Sequence, residues 1–191
     1  MRDRSRPSSR VSPRILVVGL GNVLMRDDAI GPYCVQHLRT HYELPPDVTV
    51  VDLGTAGPEL AVQVESADII IVVDALRGVE PGSLHVFDRA SLWKCNRGDR
   101  LHAQALALEE AIELVEVIRG TPLDIVVVGL GGLNFDRGTT LSPVVQDRIA
   151  ALADRVLDEL ARRDAAWCRR AFYTVAQAWR EQPAASFHWR N

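Results

Sequence analysis

Four short apolar runs rich in β-branched residues divide the chain and predict buried strands. They cover residues 14–19, 48–52, 68–74 and 123–129, and each is almost continuously apolar. Runs of this kind are typical of a parallel sheet that is covered on both faces. Residues 82–88, whose apolar positions alternate, predict a further strand that suits an edge of the sheet. A mainly parallel sheet of about five strands is therefore expected.

Helical patterns fill the segments between these runs. Residues 30–42, residues 103–118 and the residues from Ser142 onward place apolar side chains three or four positions apart. Gly57-Pro58-Glu59 resembles the start of another helix, with proline at the first helical position. Strands that alternate with helices predict an α/β fold. We expect a three-layer sandwich in which the twisted sheet carries helices on both faces.

Composition and charge exclude several classes of protein. The 191 residues are 47% hydrophobic and 25% charged, as in an ordinary soluble domain, and the net charge of −3 gives no general attraction to nucleic acid or to an anionic membrane. The apolar runs are too short for membrane insertion. Cys34, Cys95 and Cys168 lie far apart and form no disulfide or zinc motif, so we expect reduced thiols and a cytoplasmic protein.

The two ends of the chain differ from the middle. Residues 1–13 predict a disordered, arginine-rich arm that fits neither a secretory nor a twin-arginine signal. Residues 14–163 form the predicted domain. Residues 164–191 predict a C-terminal helical extension, because apolar residues recur from Trp167 to Trp179 at helical spacings. Packing of this helix on the domain is favoured over a docking or dimerisation role.

Polar residues follow the predicted strands at their carboxyl ends, where open α/β sheets bind their ligands. Asp27 and Asp28 follow the first strand, Asp74 ends the third, and His102 precedes the helix that starts near Ala103. Asp28, Asp74 and His102 together supply two carboxylates and one imidazole. This donor set suits a borderline divalent metal such as nickel or zinc.

Each of these residues also has a simpler explanation when taken alone. Asp28 suits a helix cap, Asp74 could orient a loop, and an isolated histidine is commonly a surface or core residue. The two acids without a metal could share a proton, as in an aspartic dyad. Gly19-x-Gly21 resembles the start of a dinucleotide-binding turn, but the third glycine is missing and the two aspartates oppose a phosphate. A bound nucleotide is therefore disfavoured.

Six motifs in order give the chain a family resemblance. These are GLGNVLMRDDAIG, DLGTAG, IIIVVDAL, LHAQAL, VVVGLGG and LSPVV, spread over residues 14–163. The chain resembles the hydrogenase maturation endopeptidases, accessory proteases of nickel–iron hydrogenase biosynthesis. The resemblance implies a twisted sheet between helices. It also implies that a short C-terminal peptide is removed from the hydrogenase large-subunit precursor after nickel is inserted.

Matched by motif, the family's metal ligands correspond to Asp28, Asp74 and His102. The resemblance therefore implies that these residues are also the candidate catalytic residues. The nickel is expected to be supplied by the substrate, so that an empty precursor is not cut, and zinc or cadmium is expected to substitute in vitro. Whether the metal activates the water or only positions the substrate is left open. The chain departs from the family at Ala29, where glycine is usual, and at Leu53-Gly54-Thr55, where GGT is usual.

Five residues are secondary candidates for docking the precursor, and two alternative functions are considered. The docking candidates are Gly54, Thr55, Lys94, Arg97 and Arg100. One rival function is a nickel-sensing chaperone that binds the loaded precursor without cutting it, and a second is a dinucleotide-binding protein. The oligomeric state is not predicted.

Overall fold

A computed structural model describes residues 13–54, 59–88 and 103–170. The elements of the amino-terminal half, in order, are β1 (Ile15–Leu20), a 3-10 turn (Arg26–Ala29), α1 (Ile30–His41), β2 (Tyr42–Glu43), β3 (Val48–Gly54), α2 (Glu59–Ser66) and β4 (Ile69–Leu76). The remaining elements are β5 (Leu84–Asp88), α3 (Ala103–Arg119), β6 (Asp124–Gly131), α4 (Pro143–Gln146), α5 (Ile149–Ala161) and β7 (Cys168–Arg169).

Five strands form one sheet in the order β3-β1-β4-β6-β5. The first four strands are parallel, whereas β5 runs antiparallel to β6 at the edge. All residues of β1 and β4 are buried. This explains their continuous apolar sequences, because a central strand covered on both faces has no solvent side. The predicted mainly parallel five-stranded sheet is confirmed.

Two apolar clusters fill the spaces on either side of the sheet. On one side α1 and α5 contribute side chains such as Leu38, Leu152 and Val156. On the other side α2 and α3 contribute Val64 and Ile112, among others. Helices therefore cover both faces, and the predicted three-layer α/β sandwich is confirmed.

The long helix predicted from Ser142 is two helices. The apolar residues at helical spacing are buried, but the helix is interrupted between Gln146 and Ile149; these buried residues are Val145, Ile149, Leu152, Val156 and Leu160. The reason is local, since the N–H of Arg148 bonds the carbonyl of Val145, three residues back, at 3.0 Å. This three-residue step replaces the four-residue step of an α-helix and separates α4 from α5.

The predicted C-terminal helix is wrong over residues 164–170. Asp164 adopts a left-handed φ of 60° after α5, and the chain then extends into β7, which pairs antiparallel with β2. The Trp167 ring packs edge-on against Tyr42 at 5.3 Å between centroids. Strand pairing with β2 thus takes precedence over the helical spacing. The predicted arm up to residue 12, and residues 171–191 of the predicted extension, lie outside the described residues.

Two further observations concern cysteines and membrane insertion. Cys34 is buried and Cys168 is exposed, both as free thiols, and Cys95 lies outside the described residues. Burial raises the pKa of the Cys34 thiol. In the part of the chain that the structure describes, no helix combines the length and apolarity that crossing a membrane requires.

Candidate active site

The glycine turn after β1 lets the chain fold back onto its own strand. Gly21 has a φ of +132°, and a Cβ at this position would lie 1.8 Å from the carbonyl oxygen of Asp28. Only glycine allows this approach. The backbone of the 3-10 turn thus lies where the pyrophosphate of a dinucleotide would need room, which argues against the nucleotide-binding alternative.

Asp28 and Asp74 both lie at the carboxyl edge of the sheet and are almost fully buried. Asp28 is 4% exposed and accepts a hydrogen bond from Asn22 N at 2.9 Å. Asp74 is 1% exposed and accepts one from Ala75 N at 2.7 Å. The 3-10 turn that carries Asp28 packs directly against β4, which carries Asp74. Each carboxylate is therefore oriented by a backbone N–H, and the fold brings the two to one edge as predicted.

The third predicted ligand, His102, lies outside the described residues. Helix α3 begins immediately after it, at Ala103. The other end of α3 is at the opposite edge of the sheet, where Arg119 Nη1 bonds the carbonyl of Ala67 at 2.6 Å. The 17 residues of this helix span about 25 Å, so Ala103 lies toward the carboxyl edge. Within residues 13–54, 59–88 and 103–170, no three histidine, cysteine or acidic side chains form a group able to hold a metal.

Asp27 has a role that the sequence analysis did not assign. It is fully buried and accepts three backbone hydrogen bonds, from Leu133 at 2.9 Å, Asn134 at 2.8 Å and Ser142 at 2.6 Å. Burial opposes its ionisation, but these donors outweigh that cost and lower the pKa of the carboxyl below 3.8. The two neighbouring acids therefore have different roles. Asp27 holds the loop after β6 in place, and Asp28 belongs to the candidate site.

Backbone contacts strengthen the same junction. Arg26 N donates to the carbonyl of Gly138 at 2.8 Å, and Gly138 N donates to the carbonyl of Leu24 at 2.9 Å. Arg26 adopts a left-handed φ of 45°, which is unfavourable for a residue with a side chain. The only sequence signal for this junction is the placement of Asp27 beside Asp28, and residue spacing does not reveal that its partners follow a strand more than a hundred residues later.

Two hollows flank the paired acids. A groove of about 470 Å³ runs beside the loop before the 3-10 turn and is lined by residues that include Leu24, Tyr33 and Asp52. A hollow of about 600 Å³ lies beside the loop after β6, where the Arg77 guanidinium stacks 3.8 Å from the centre of the Phe135 ring. The carboxyl edge therefore offers surface on both sides of the acids.

Of the predicted docking residues, Gly54 can be placed. It ends β3 at the carboxyl edge, in register with Leu20 of β1 after an irregularity in the pairing. Thr55, Lys94, Arg97 and Arg100 lie outside the described residues. Their docking role stays a prediction.

Comparison with protein families gives one match over most of the chain. The family described as hydrogenase maturation protease matches residues 32–159. This range includes Asp74 and His102 and begins four residues after Asp28.

Individual relatives agree with this family. The chain is 32% identical to the hydrogenase expression/formation protein HupD of Bradyrhizobium diazoefficiens, over 81% of this chain and 82% of that protein. It is 30% identical to the hydrogenase 2 maturation protease of Escherichia coli, over 77% of this chain and 90% of the relative. The structure is similar to the hydrogenase maturating endopeptidase HybD from E. coli, with a TM-score of 0.76 and 28% identity over 82% of this chain and 98% of that one.

Proposed function

This chain belongs to the hydrogenase maturation protease family, and we propose that it removes a short C-terminal peptide from the large-subunit precursor of a nickel–iron hydrogenase once that precursor holds nickel. It is a peptidase by family. The proposal adds the substrate, the position of the cut and the requirement for nickel.

The observation that carries the proposal is the burial of Asp28 and Asp74 at one edge of the sheet. They are 4% and 1% exposed. Burying carboxylates costs free energy that an apolar residue at the same position avoids. Both acids also lie at the edge where open α/β sheets bind ligands. Their placement is best explained by a ligand that needs them, and a divalent cation is such a ligand.

Asp28, Asp74 and His102 are proposed to hold that cation. Two carboxylate oxygens and an imidazole nitrogen suit nickel, and zinc or cadmium is expected to bind the same donors in vitro. The nickel is part of the substrate, carried into the site by the loaded precursor. A contact that only a loaded precursor makes gives the protease a test of loading before it cuts.

The carboxylates also suit the chemistry of peptide hydrolysis. The nickel would supply Lewis acidity at the scissile carbonyl or, alternatively, only hold the substrate in place. A carboxylate beside the bond can accept a proton from the attacking water and return it to the leaving amine as the C–N bond breaks. The N–H groups of Asn22 and Ala75, which hold Asp28 and Asp74, fix the carboxylates for either role.

The test is the intact mass of the host's large-subunit precursor after incubation with this protein. We expect a short C-terminal peptide to be lost only from nickel-loaded precursor. Asp74→Asn, which preserves the size of the side chain, should abolish the loss. Asp68→Asn, an acid at the opposite edge of the sheet, should preserve it.

The remaining outcomes identify the rival functions. An unchanged mass while loaded precursor and protein still co-elute would favour the nickel-sensing chaperone. Cleavage of empty and loaded precursor at equal rates would refute the nickel requirement and keep the protease. Saturable binding in a direct titration with NAD would revive the dinucleotide alternative.

A further inference from the structure

An apolar groove adjoins the candidate site on the β3 side of the acids. We call it the Leu24 groove and define it by Val23, Leu24, Pro32, Tyr33, Gln36 and Asp52, which line a volume of about 470 Å³ together with Val35, Arg39, Thr40 and Thr139. Leu24 is 62% exposed, Val23 48% and Tyr33 37%. Several large apolar side chains exposed side by side are typical of a binding surface, whereas single ones are ordinary.

The loop that presents these side chains is the loop that orients Asp28. Asn22 N donates to Asp28 Oδ2 at 2.9 Å, and Asn22 Oδ1 accepts from Leu24 N at 2.9 Å. The carbonyl of Leu24 accepts from Gly138 N at 2.9 Å. Hydrogen bonds on both sides therefore fix Leu24 relative to Asp28. A group bound at Leu24 has a defined position relative to the carboxylate.

The far side of the acids has a different character. The hollow there is lined by Arg77, Asn134, Asp136 and Ser142, together with Leu133 and Phe135. Asp27 and Asp28 thus stand between an apolar groove and a mainly polar hollow. An extended peptide advances about 3.3 to 3.6 Å per residue, so residues within a few positions of a bond held at Asp28 can reach either of these surfaces.

We propose that the Leu24 groove binds an apolar side chain of the precursor peptide, within a few residues of the bond that is cut. This inference rests on the proposed function and adds a specificity determinant to it. Burial against Leu24, Val23 and Tyr33 would stabilise the bound substrate and the transition state equally. It would therefore act on KM and leave kcat unchanged.

A second apolar surface supplies the control. Val117 and Ile118 on α3 are 80% and 69% exposed, on the layer that packs with α2. These side chains belong to a helix of the outer layer, and none of the loops that hold Asp27 and Asp28 contains them. Val117→Ser thus removes an exposed apolar side chain of comparable size without touching the proposed groove.

The test compares Leu24→Ser and Val117→Ser in cleavage of nickel-loaded precursor. We expect Leu24→Ser to raise KM about tenfold, which corresponds to about 1.4 kcal/mol, because burial of part of the leucine side chain by substrate is lost, with kcat within about twofold. Val117→Ser should match the unmodified protein. Equal urea unfolding midpoints for the three proteins would exclude a folding effect.

The other outcomes overturn the inference in separable ways. An unchanged KM for Leu24→Ser, with normal cleavage by the unmodified protein, refutes the groove and leaves the proposed function intact. A fall in kcat alone would mean that Leu24 acts only by positioning Asp28. A raised KM for Val117→Ser would move docking to α3. Absence of cleavage by the unmodified protein refutes the proposed function itself.

Discussion

The two edges of the sheet treat buried carboxylates in opposite ways. At the amino edge, Glu159 of α5 is surrounded by Arg155, Arg162 and Arg163, at 2.8, 2.9 and 2.8 Å. At the carboxyl edge, Asp27 is held by three backbone N–H groups. Both acids are almost fully buried, at 3% and 0% exposed. One is surrounded by cations and the other by neutral dipoles.

The difference distinguishes a carboxylate that stabilises the end of a helix from a carboxylate that helps to build a binding site. Arginines cancel the charge of Glu159, and they belong to the same helix or its end, so the cluster stabilises local structure. Amide dipoles stabilise the charge of Asp27 without cancelling it, and they come from a different loop. Asp27 therefore joins two loops and also adds negative potential beside Asp28 and Asp74. An edge that is to receive a divalent cation benefits from both effects.

The largest expected effect is the loss of processing in Asp28→Asn. A positioned carboxylate that transfers the proton contributes about 10²- to 10⁴-fold in rate, and we expect a loss in this range without loss of folding. The measurement is the initial rate of cleavage of nickel-loaded precursor by mass spectrometry, with circular dichroism for folding. A processing rate within twofold of the unmodified protein would show that the carboxyl edge is not the site.

The second largest effect is on stability, in Asp27→Asn. The amide keeps the size of the side chain. Its NH₂ group, however, must face a backbone N–H that donates to a carboxylate oxygen in the unmodified protein. We expect a loss of about 3 kcal/mol in the free energy of unfolding, because hydrogen bonds to charged groups contribute about 1.5 to 3 kcal/mol each. Urea denaturation of the full chain measures it. A loss of unfolding free energy smaller than that of Glu159→Gln would contradict the proposed difference between the two edges.

The pH dependence of the same variant sharpens this prediction. The pKa of Asp27 is lowered from 3.8 in the folded protein. A carboxyl with a depressed pKa contributes stability above its unfolded pKa and loses it as the pH falls through the folded value. The difference between Asp27→Asn and the unmodified protein should therefore be constant above about pH 5 and shrink below pH 3.8. A difference that is constant down to pH 2.5 would exclude ionisation as its cause.

Glu159→Gln is expected to cost less than Asp27→Asn. Arg155 and Arg163 have side chains that are 23% and 15% exposed, and Arg162 is 63% exposed, so water can hydrate them when the charge of Glu159 is lost. We expect a loss of about 1.5 kcal/mol, between the values for an exposed and a fully buried ion pair. The measurement is urea denaturation, with cleavage of loaded precursor expected to be unchanged. A processing defect with normal stability would contradict a purely structural role.

The fold could be predicted from the sequence because burial dictates its pattern. Strands β1 and β4 are apolar throughout, since both of their faces are covered, and α1 and α5 keep apolar residues on one face. The break before Ile149 and the pairing of β7 with β2 escaped prediction. The break depends on a single hydrogen bond, and the pairing depends on a strand that is distant in the sequence. A helical spacing of apolar residues does not contain that information.

The candidate site was predictable only in part, for a related reason. The placement of Asp28 and Asp74 at one edge could be predicted because parallel strands bring their carboxyl ends together. Their role in the site stays a prediction. Asp27 could not be separated from Asp28, because its partners Leu133, Asn134 and Ser142 are backbone groups, and any residue type supplies an N–H except proline. The two neighbouring acids therefore differ in their three-dimensional surroundings and not in residue type.

The smallest expected effect belongs to Asp68→Asn, at the amino edge. The pKa of Asp68 is lowered, because hydrogen bonds from Arg14 and the charges of Arg14 and Arg119 outweigh the cost of burial. The side chain is 43% exposed, however, and its ion pairs with the guanidinium groups of Arg14 and Arg119 are 3.4 and 3.5 Å long, whereas the hydrogen bond from Arg14 N is 2.9 Å long. Water and salt screen such pairs, so we expect a loss of only about 0.5 kcal/mol, and less in 1 M NaCl. Urea denaturation at two salt concentrations measures it. A loss as large as that of Asp27→Asn would mean that the position of an acid in the sheet, and not the nature of its donors, sets its contribution.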